Sequence, residues 1–407
     1  MITTIDDDTN GFRLNLIPMA LSSSDMSSRS LLEATLALAS FHIGREEDAL
    51  KHKVQAIKLL SDSFRSTTEQ NRIAQFSTCM MLCVYSVFDS SDTTWNLHLQ
   101  GAKSVIEAFS RLDRSDPSMA FMVHWLKYHD VFSVYSHRAE PSYTATDKNP
   151  ELIMTLPEST AYNQQIIGLL GCSPELLGLI SNINQLRTWL QTTNPPSARG
   201  AALPHLLRIR KRLLHLKQEI LVRPGETSGA ISHTRITLTA ELYRIAALLY
   251  LFQVFALLPS THTQIATLSS ATTSQAHPST LSSSPPSTSS SSAVWWNTSL
   301  VGSEDIANIV RQGLAVLDQL EICTSPWPLF IVACNVSDDA DRIKMVGIIE
   351  AGGRARRVGN YQVVGSLVQA VWKRQDLAAN ERGEKGGLVV VDWRDLIEEG
   401  EMMPSFI

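Results

Sequence analysis

Residues 231–258 constrain the fold more than any other part of this chain, because they are apolar almost all the way round. From Leu242 to Leu258 polar residues are few, and Ile245 to Phe252 carries no charge. A surface helix keeps one polar side, so a helix that lacks one must be enclosed by others. The expected place for these residues is the centre of a large helical bundle. The unbroken run from Ile245 to Phe252 is far shorter than the ~20 residues that cross a bilayer, so a core helix is expected here and not a membrane span.

Helical spacing governs the rest, and no run alternates apolar and polar residues as a half-buried strand does. Residues 28–46 are rich in Leu and Ala, and Leu50, Val54, Ile57 and Leu60 mark the apolar face of a second helix. Ile73, Phe76, Met80, Val84 and Val87 mark a third. Past the turn-like Asp89-Ser90-Ser91-Asp92, Leu99, Ala102, Val105, Ile106 and Phe109 form a fourth, and 117–137 an aromatic-rich fifth. Ser173-Pro174-Glu175 reads as an N-cap, a proline at the first helical position and an acid in the first turn, opening a helix that ends near Asn194. Further helices are expected at 198–222, 303–321, 338–352 and 358–376. The predicted fold class is all-α, a large bundle of antiparallel helical hairpins with short links.

Residues 1–27 read as an extended lead-in, with 28–258 and 294–407 as two parts of one helical domain. Between them, 259–293 is more than half Ser and Thr with Pro285-Pro286, which cannot bury enough apolar surface to order and is expected as a disordered loop. Leu388 to Val391 has the composition of a strand but no visible partner, so extended coil is expected.

The 407 residues are 44% hydrophobic and 18% charged, enough for a sizeable core. A net charge of −5 argues against gripping nucleic acid through the overall field. Cys79, Cys83, Cys172, Cys323 and Cys334 are odd in number and widely spaced, which suits a reducing compartment. Met1 to Asp8 is acidic and lacks the basic and apolar regions of a secretory leader. A soluble intracellular protein is expected.

No arrangement of reactive side chains survives inspection. Cys79 and Cys83 share a helical face, but two thiols are half a zinc site, and an apolar helix favours buried thiols. His98 has no carboxylate or cysteine at a useful spacing and reads as structural. His129 and Asp130 are adjacent, so on a helix they point about 100° apart and form no dyad; aromatic packing around one internal hydrogen bond is expected for His124 to Asp130. Arg208-Ile209-Arg210-Lys211-Arg212, with Lys217, reads as a solvated face or a nuclear import signal, as do Arg354, Arg356 and Arg357. No phosphate loop, zinc-protease motif or nucleophile elbow occurs. Neither an enzyme nor a bound cofactor or metal is expected.

The most distinctive block is Ser325-Pro326-Trp327-Pro328-Leu329-Phe330, followed by Asp338-Asp339-Ala340-Asp341-Arg342. Each proline fixes its own φ and restricts the residue before it, so Trp327 has little backbone freedom. Trp327 is expected as a buried plug, with Asp338 capping the next helix.

Taken with three further blocks, this one resembles the fungal-specific transcription factor domain, the helical regulatory region of binuclear zinc-cluster regulators. The others are Asn10-Gly11-Phe12-Arg13 through Leu21 into Leu31 to His42, Thr94 to Ala102, and Tyr128-His129-Asp130-Val131. Val371-Trp372 and Asp392-Trp393-Arg394 close the pattern. The match covers nearly all of the chain outside 259–293, and its structural signature residues are Trp95, His98, Gly101, Asp130, Pro326, Trp327, Pro328, Arg342, Trp372 and Trp393. The resemblance implies a transcriptional regulator or co-regulator in a fungal nucleus, serving a secondary-metabolite gene cluster. It would act through protein partners, a DNA-binding partner or a homodimer among them, or through a small-molecule effector, without touching DNA or membrane itself. The alternatives are a helical interaction scaffold with no regulatory ligand and an enzyme of the same pathway. No cysteine precedes Cys79, so the zinc cluster of such regulators is missing from this sequence. Either the protein lacks that module or the sequence begins after it.

Overall fold

The computed structural model describes residues 10–65, 68–89, 92, 94–108, 117–136, 155–193, 196–220, 230–258, 294–295, 303–356, 360–382, 389–396 and 406. The Ser/Thr-rich loop expected at 259–293 lies outside them, as does Phe109. The fold class is all-α, as expected.

The chain enters on a π-helical turn, Phe12–Leu16, that runs into α1 (Ile17–Leu21), so residues 12–21 are helical where an extended path was expected. The Asn10 side chain starts the turn by accepting from the N–H groups of Phe12 (3.1 Å) and Arg13 (3.2 Å). Phe12 then wedges edge-on against Phe121 and Trp125. α2 (Met26–His42) is capped by Asp25, whose carboxylate accepts from the N–H groups of Ser27 (2.9 Å) and Ser28 (3.1 Å). Gly44, at φ 79°, makes the left-handed turn into α3 (Glu46–Ser63).

α3 departs from the sequence reading. Its interior side is Ala49, Ala56, Leu59, Leu60 and Ser63, while Leu50, Val54 and Ile57 are 56%, 59% and 41% exposed. The physical reason is close packing. Ala34 and Ala37 of α2 are also fully buried, and small residues on both sides bring the two helices together.

α4 (Glu69–Phe88), α5 (Trp95–Glu107) and α6 (Pro117–Ser133) complete a first apolar core with α1 to α3. α6 is shared: Met122 and Trp125 belong to this core, and Tyr128, Val131 and Phe132 belong to a second and larger one. The second core is built by α8 (Pro174–Thr192), α9 (Leu203–Leu214), α10 (Ala230–Phe255), α11 (Ser303–Gln319), α12 (Pro326–Cys334), α13 (Asp339–Arg356) and α14 (Asn360–Arg382), after the single turn α7 (Ala161–Gln164).

α10 is the central helix that its composition requires, with every residue from Ile245 to Ala256 buried. Within His233–Phe255 an 18-residue window is apolar enough on average to cross a membrane, although the unbroken apolar run is short; 78% of that window is buried inside the protein. Its apolar surface is thus already covered by other helices.

The helix expected across 198–222 breaks in two places. A 3-10 segment, Pro196–Ala202, precedes α9, and the chain is not helical beyond His215. Tertiary hydrogen bonds take over there. The Gln218 amide donates to the Ala240 carbonyl (2.8 Å) and accepts from the Ser173 N–H (2.9 Å), while the Glu219 N–H donates to Gln164 O (3.0 Å). The coil expected from Leu388 to Val391 is replaced at Val389–Val390, which finds a partner in Val294–Trp295 and forms an antiparallel pair with it; Leu388 lies outside the described residues.

Asp338 caps α13 as expected, accepting from the N–H groups of Ala340 (2.9 Å) and Asp341 (3.2 Å). Asp338→Ala should lower the unfolding free energy by about 1 kcal/mol, read from the urea midpoint at unchanged slope. An unchanged midpoint would show that the cap contributes nothing.

Candidate functional site

The Pro-Trp-Pro block forms the start of α12. Ser325 is extended, Pro326 takes the first helical position, and all residues from Pro326 to Cys334 are buried. Trp327 is fully enclosed. Its indole stacks on Tyr243 (5.9 Å between ring centres) and meets Phe132 (5.0 Å), Tyr135 (5.4 Å) and Tyr250 (6.4 Å). Rings from α6, the turn after it and α10 therefore converge on one side chain, the buried plug that the sequence predicts.

Trp393 lies beside it. It stacks on Tyr135 (6.0 Å, 14° between planes), meets Phe330 edge-on (5.3 Å), and its indole N–H donates to the Tyr135 carbonyl (3.4 Å). Phe406 closes the cluster against Phe330 (4.7 Å) and Tyr135 (6.2 Å).

Two buried arginines sit on this aromatic centre. The Arg187 guanidinium lies over Trp393 (5.3 Å) and Tyr250 (5.7 Å), and the Arg394 guanidinium over Trp393 (5.7 Å). Asp392 joins them: its carboxylate accepts from Arg187 Nη2 (2.5 Å) and from the Arg394 backbone N–H (3.2 Å). Burial alone would raise the Asp392 pKa, but the fields of Arg187 and Arg394 outweigh it and hold the carboxyl below its usual range. Arg187 carries no sequence signal that ties it to the Asp392-Trp393-Arg394 block, and it was not anticipated. Nε and Nη2 of Arg394, Nε of Arg187 and Nε1 of Trp327 face no acceptor among the described residues. These atoms are sealed from solvent, and the rings packed around them make the centre an ionic core.

The profile of the fungal specific transcription factor domain matches residues 1–407. The chain belongs to that family. Among curated proteins, the transcription factor iacI of Pestalotiopsis fici is 21% identical over 388 residues, covering 93% of this chain and 85% of that protein. No solved structure matches the chain.

The signature residues of this fungal transcription factor domain do not meet in one place. Trp372 and Arg342 lie at the far end of α12 from Trp327. Trp372 donates to the Ala333 carbonyl (2.9 Å), and Arg342 stacks over Trp372 (5.4 Å) while gripping both Asp376 oxygens (3.0 and 2.9 Å). Trp95, His98 and Gly101 belong to α5, and Trp95 is buried in the first core. His98 Nε2 approaches the Thr94 hydroxyl at 3.4 Å, and burial lowers its pKa. Gly101 permits no unusual approach, since a Cβ there would sit 3.5 Å from the Cys79 sulfur, an ordinary contact.

His129 is fully buried and bonds the Trp125 carbonyl through Nδ1 (2.9 Å), the single internal bond expected. Burial pushes its pKa down to about 4, so it is neutral near pH 7. Asp130 points elsewhere and pairs with Lys103. Cys79 and Cys83 are buried free thiols, and burial raises both pKa values, Cys79 to about 12. No cluster of metal-binding side chains occurs among the described residues.

The basic run on α9 is only partly solvated. Arg212 pairs with the buried Glu175 and Arg210 lies over Phe252 (5.9 Å), leaving Arg208 and Lys211 exposed. An open groove of about 540 Å³ runs between α13 and α14, lined by Ile349, Arg354, Tyr361, Gln362, Ser366 and Gln369. Gly352 lets the Tyr361 ring pack close against α13, because a Cβ there would come within 2.6 Å of that ring.

Proposed function

We propose that this fungal transcription factor domain acts in the nucleus as a regulator or co-regulator of a secondary-metabolite gene cluster. It works through contacts with proteins, a DNA-binding partner or a second copy included, or through a bound effector. The family match over all 407 residues carries this reading. The net charge of −5 and the internal engagement of Arg210 and Arg212 support a mode of action without direct base readout. On this reading the chain catalyses nothing.

The test pairs two measurements. Fused to a heterologous DNA-binding domain, the chain should change transcription of a reporter carrying that domain's site. Alone, it should bind duplex DNA only at the non-specific level, with Kd of about 10⁻⁶ M or weaker at physiological salt. An unchanged reporter, together with pathway loss at unchanged transcript levels in a deletion strain, would point to an enzyme instead. Tight, sequence-selective gel shifts would overturn the indirect mode.

A further inference from the structure

α3 is built inside out. It buries its alanines with Leu59 and Leu60 and exposes Leu50, Val54 and Ile57, and the exposed set is ordered. Leu50, Val54, Ile57 and the following Phe64 fall at intervals of four, three and seven, the spacing of one coiled-coil seam. Phe64 is 50% exposed and keeps right-handed helical backbone angles, so it continues the seam past the last turn. Ser61 fills the remaining position and is also exposed.

Charge is ordered in register with the seam. A base follows each of three seam residues: Leu50-Lys51, Ile57-Lys58 and Phe64-Arg65, seven residues apart, with all three bases exposed. Lys51 holds Glu47 (2.7 Å) in a pair exposed on both sides, which costs little to exchange. Lys58 and Arg65 form no ion pair among the described residues. The opposite flank is committed to the fold, with Lys53 on Asp92 and Leu60 buried. The seam is therefore open to a partner along its basic edge.

We propose that this face of α3 docks an amphipathic helix with an acidic edge, its apolar residues packing between Leu50, Val54, Ile57 and Phe64 and its carboxylates facing Lys51, Lys58 and Arg65. Contiguous exposed apolar surface of this kind marks interaction sites, and helix-in-groove recognition reads the same spacing. A second copy fits less well: antiparallel pairing about a two-fold axis brings the basic edges of both helices together. This inference does not depend on the regulatory reading above.

The test uses the full chain and a labelled probe peptide of heptads with Leu at a and d and Glu at e and g, beside a twin with Lys in place of Glu. Anisotropy should show the acidic probe binding about tenfold or more tightly than the twin, with affinity falling as salt rises. Val54→Glu and Ile57→Glu should abolish binding while the thermal melt stays that of the parent, because both residues lie outside the core. Equal binding of the twins, or binding that survives Val54→Glu, would overturn the proposal. So would a sedimentation profile in which the chain dimerises and Val54→Glu dissociates it.

Discussion

Trp327→Ala is expected to lower the unfolding free energy by about 3–5 kcal/mol, the range of large truncations in a packed core. The loss comes from the site and not only from the size of the indole. Tyr135, Tyr243, Tyr250 and Phe132 all rest on that ring, so its removal leaves a void bounded by stiff aromatic groups that cannot collapse into it. Trp327→Phe should lose far less, since it keeps a ring and removes an N–H that faces no acceptor among the described residues. Urea unfolding followed by circular dichroism separates the two variants. An alanine variant with the parent midpoint would show that Trp327 plugs nothing.

A loss of similar size, about 3–5 kcal/mol, is expected for Asp392→Ala, because it strands the buried guanidinium of Arg187 without its carboxylate and removes the negative charge nearest Arg394. Adding Arg187→Met should restore part of that loss by removing one uncompensated charge. The pH dependence has a definite sign. The folded-state pKa of Asp392 lies below its usual value of 3.8, so its contribution is complete above that value and fades as pH falls through the folded pKa. The double variant should lack this acid-limb loss. If Asp392→Ala unfolds at the parent's midpoint, the ionic centre contributes nothing to stability.

Most helices were legible because apolar spacing and capping residues are local signals. α10, the Ser173 cap and the Asp338 cap needed nothing beyond their own neighbourhoods. The failures share one cause, which is that the deciding partner was distant. Apolar spacing in α3 identified which residues are greasy, but alanine-to-alanine packing with α2 decided which side faces inward. The end of α9 was set by Ser173 and Ala240 through Gln218, and Val389–Val390 needed Val294–Trp295. Signature residues found from the sequence proved to be spread over both cores. Arg187, which completes the centre around Trp393, stood outside every block because its partner lies about two hundred positions away.

The position of Trp393 bears on how a ribosome delivers this chain. Translation proceeds from the N-terminus at roughly 5–20 residues per second. α1 to α6 have a core of their own and can gather as they emerge. The second core cannot finish in that order, because the indole that covers Tyr135 bonds a carbonyl 258 positions upstream. Until Trp327 and Trp393 are made, Phe132 and Tyr135 lack part of their aromatic cover, a surface of the kind that holds nascent chains on chaperones. A premature stop just before Trp393 would yield a product that keeps α1 to α14 with an unsealed middle, so the seal on this core depends on residues made after all of those helices.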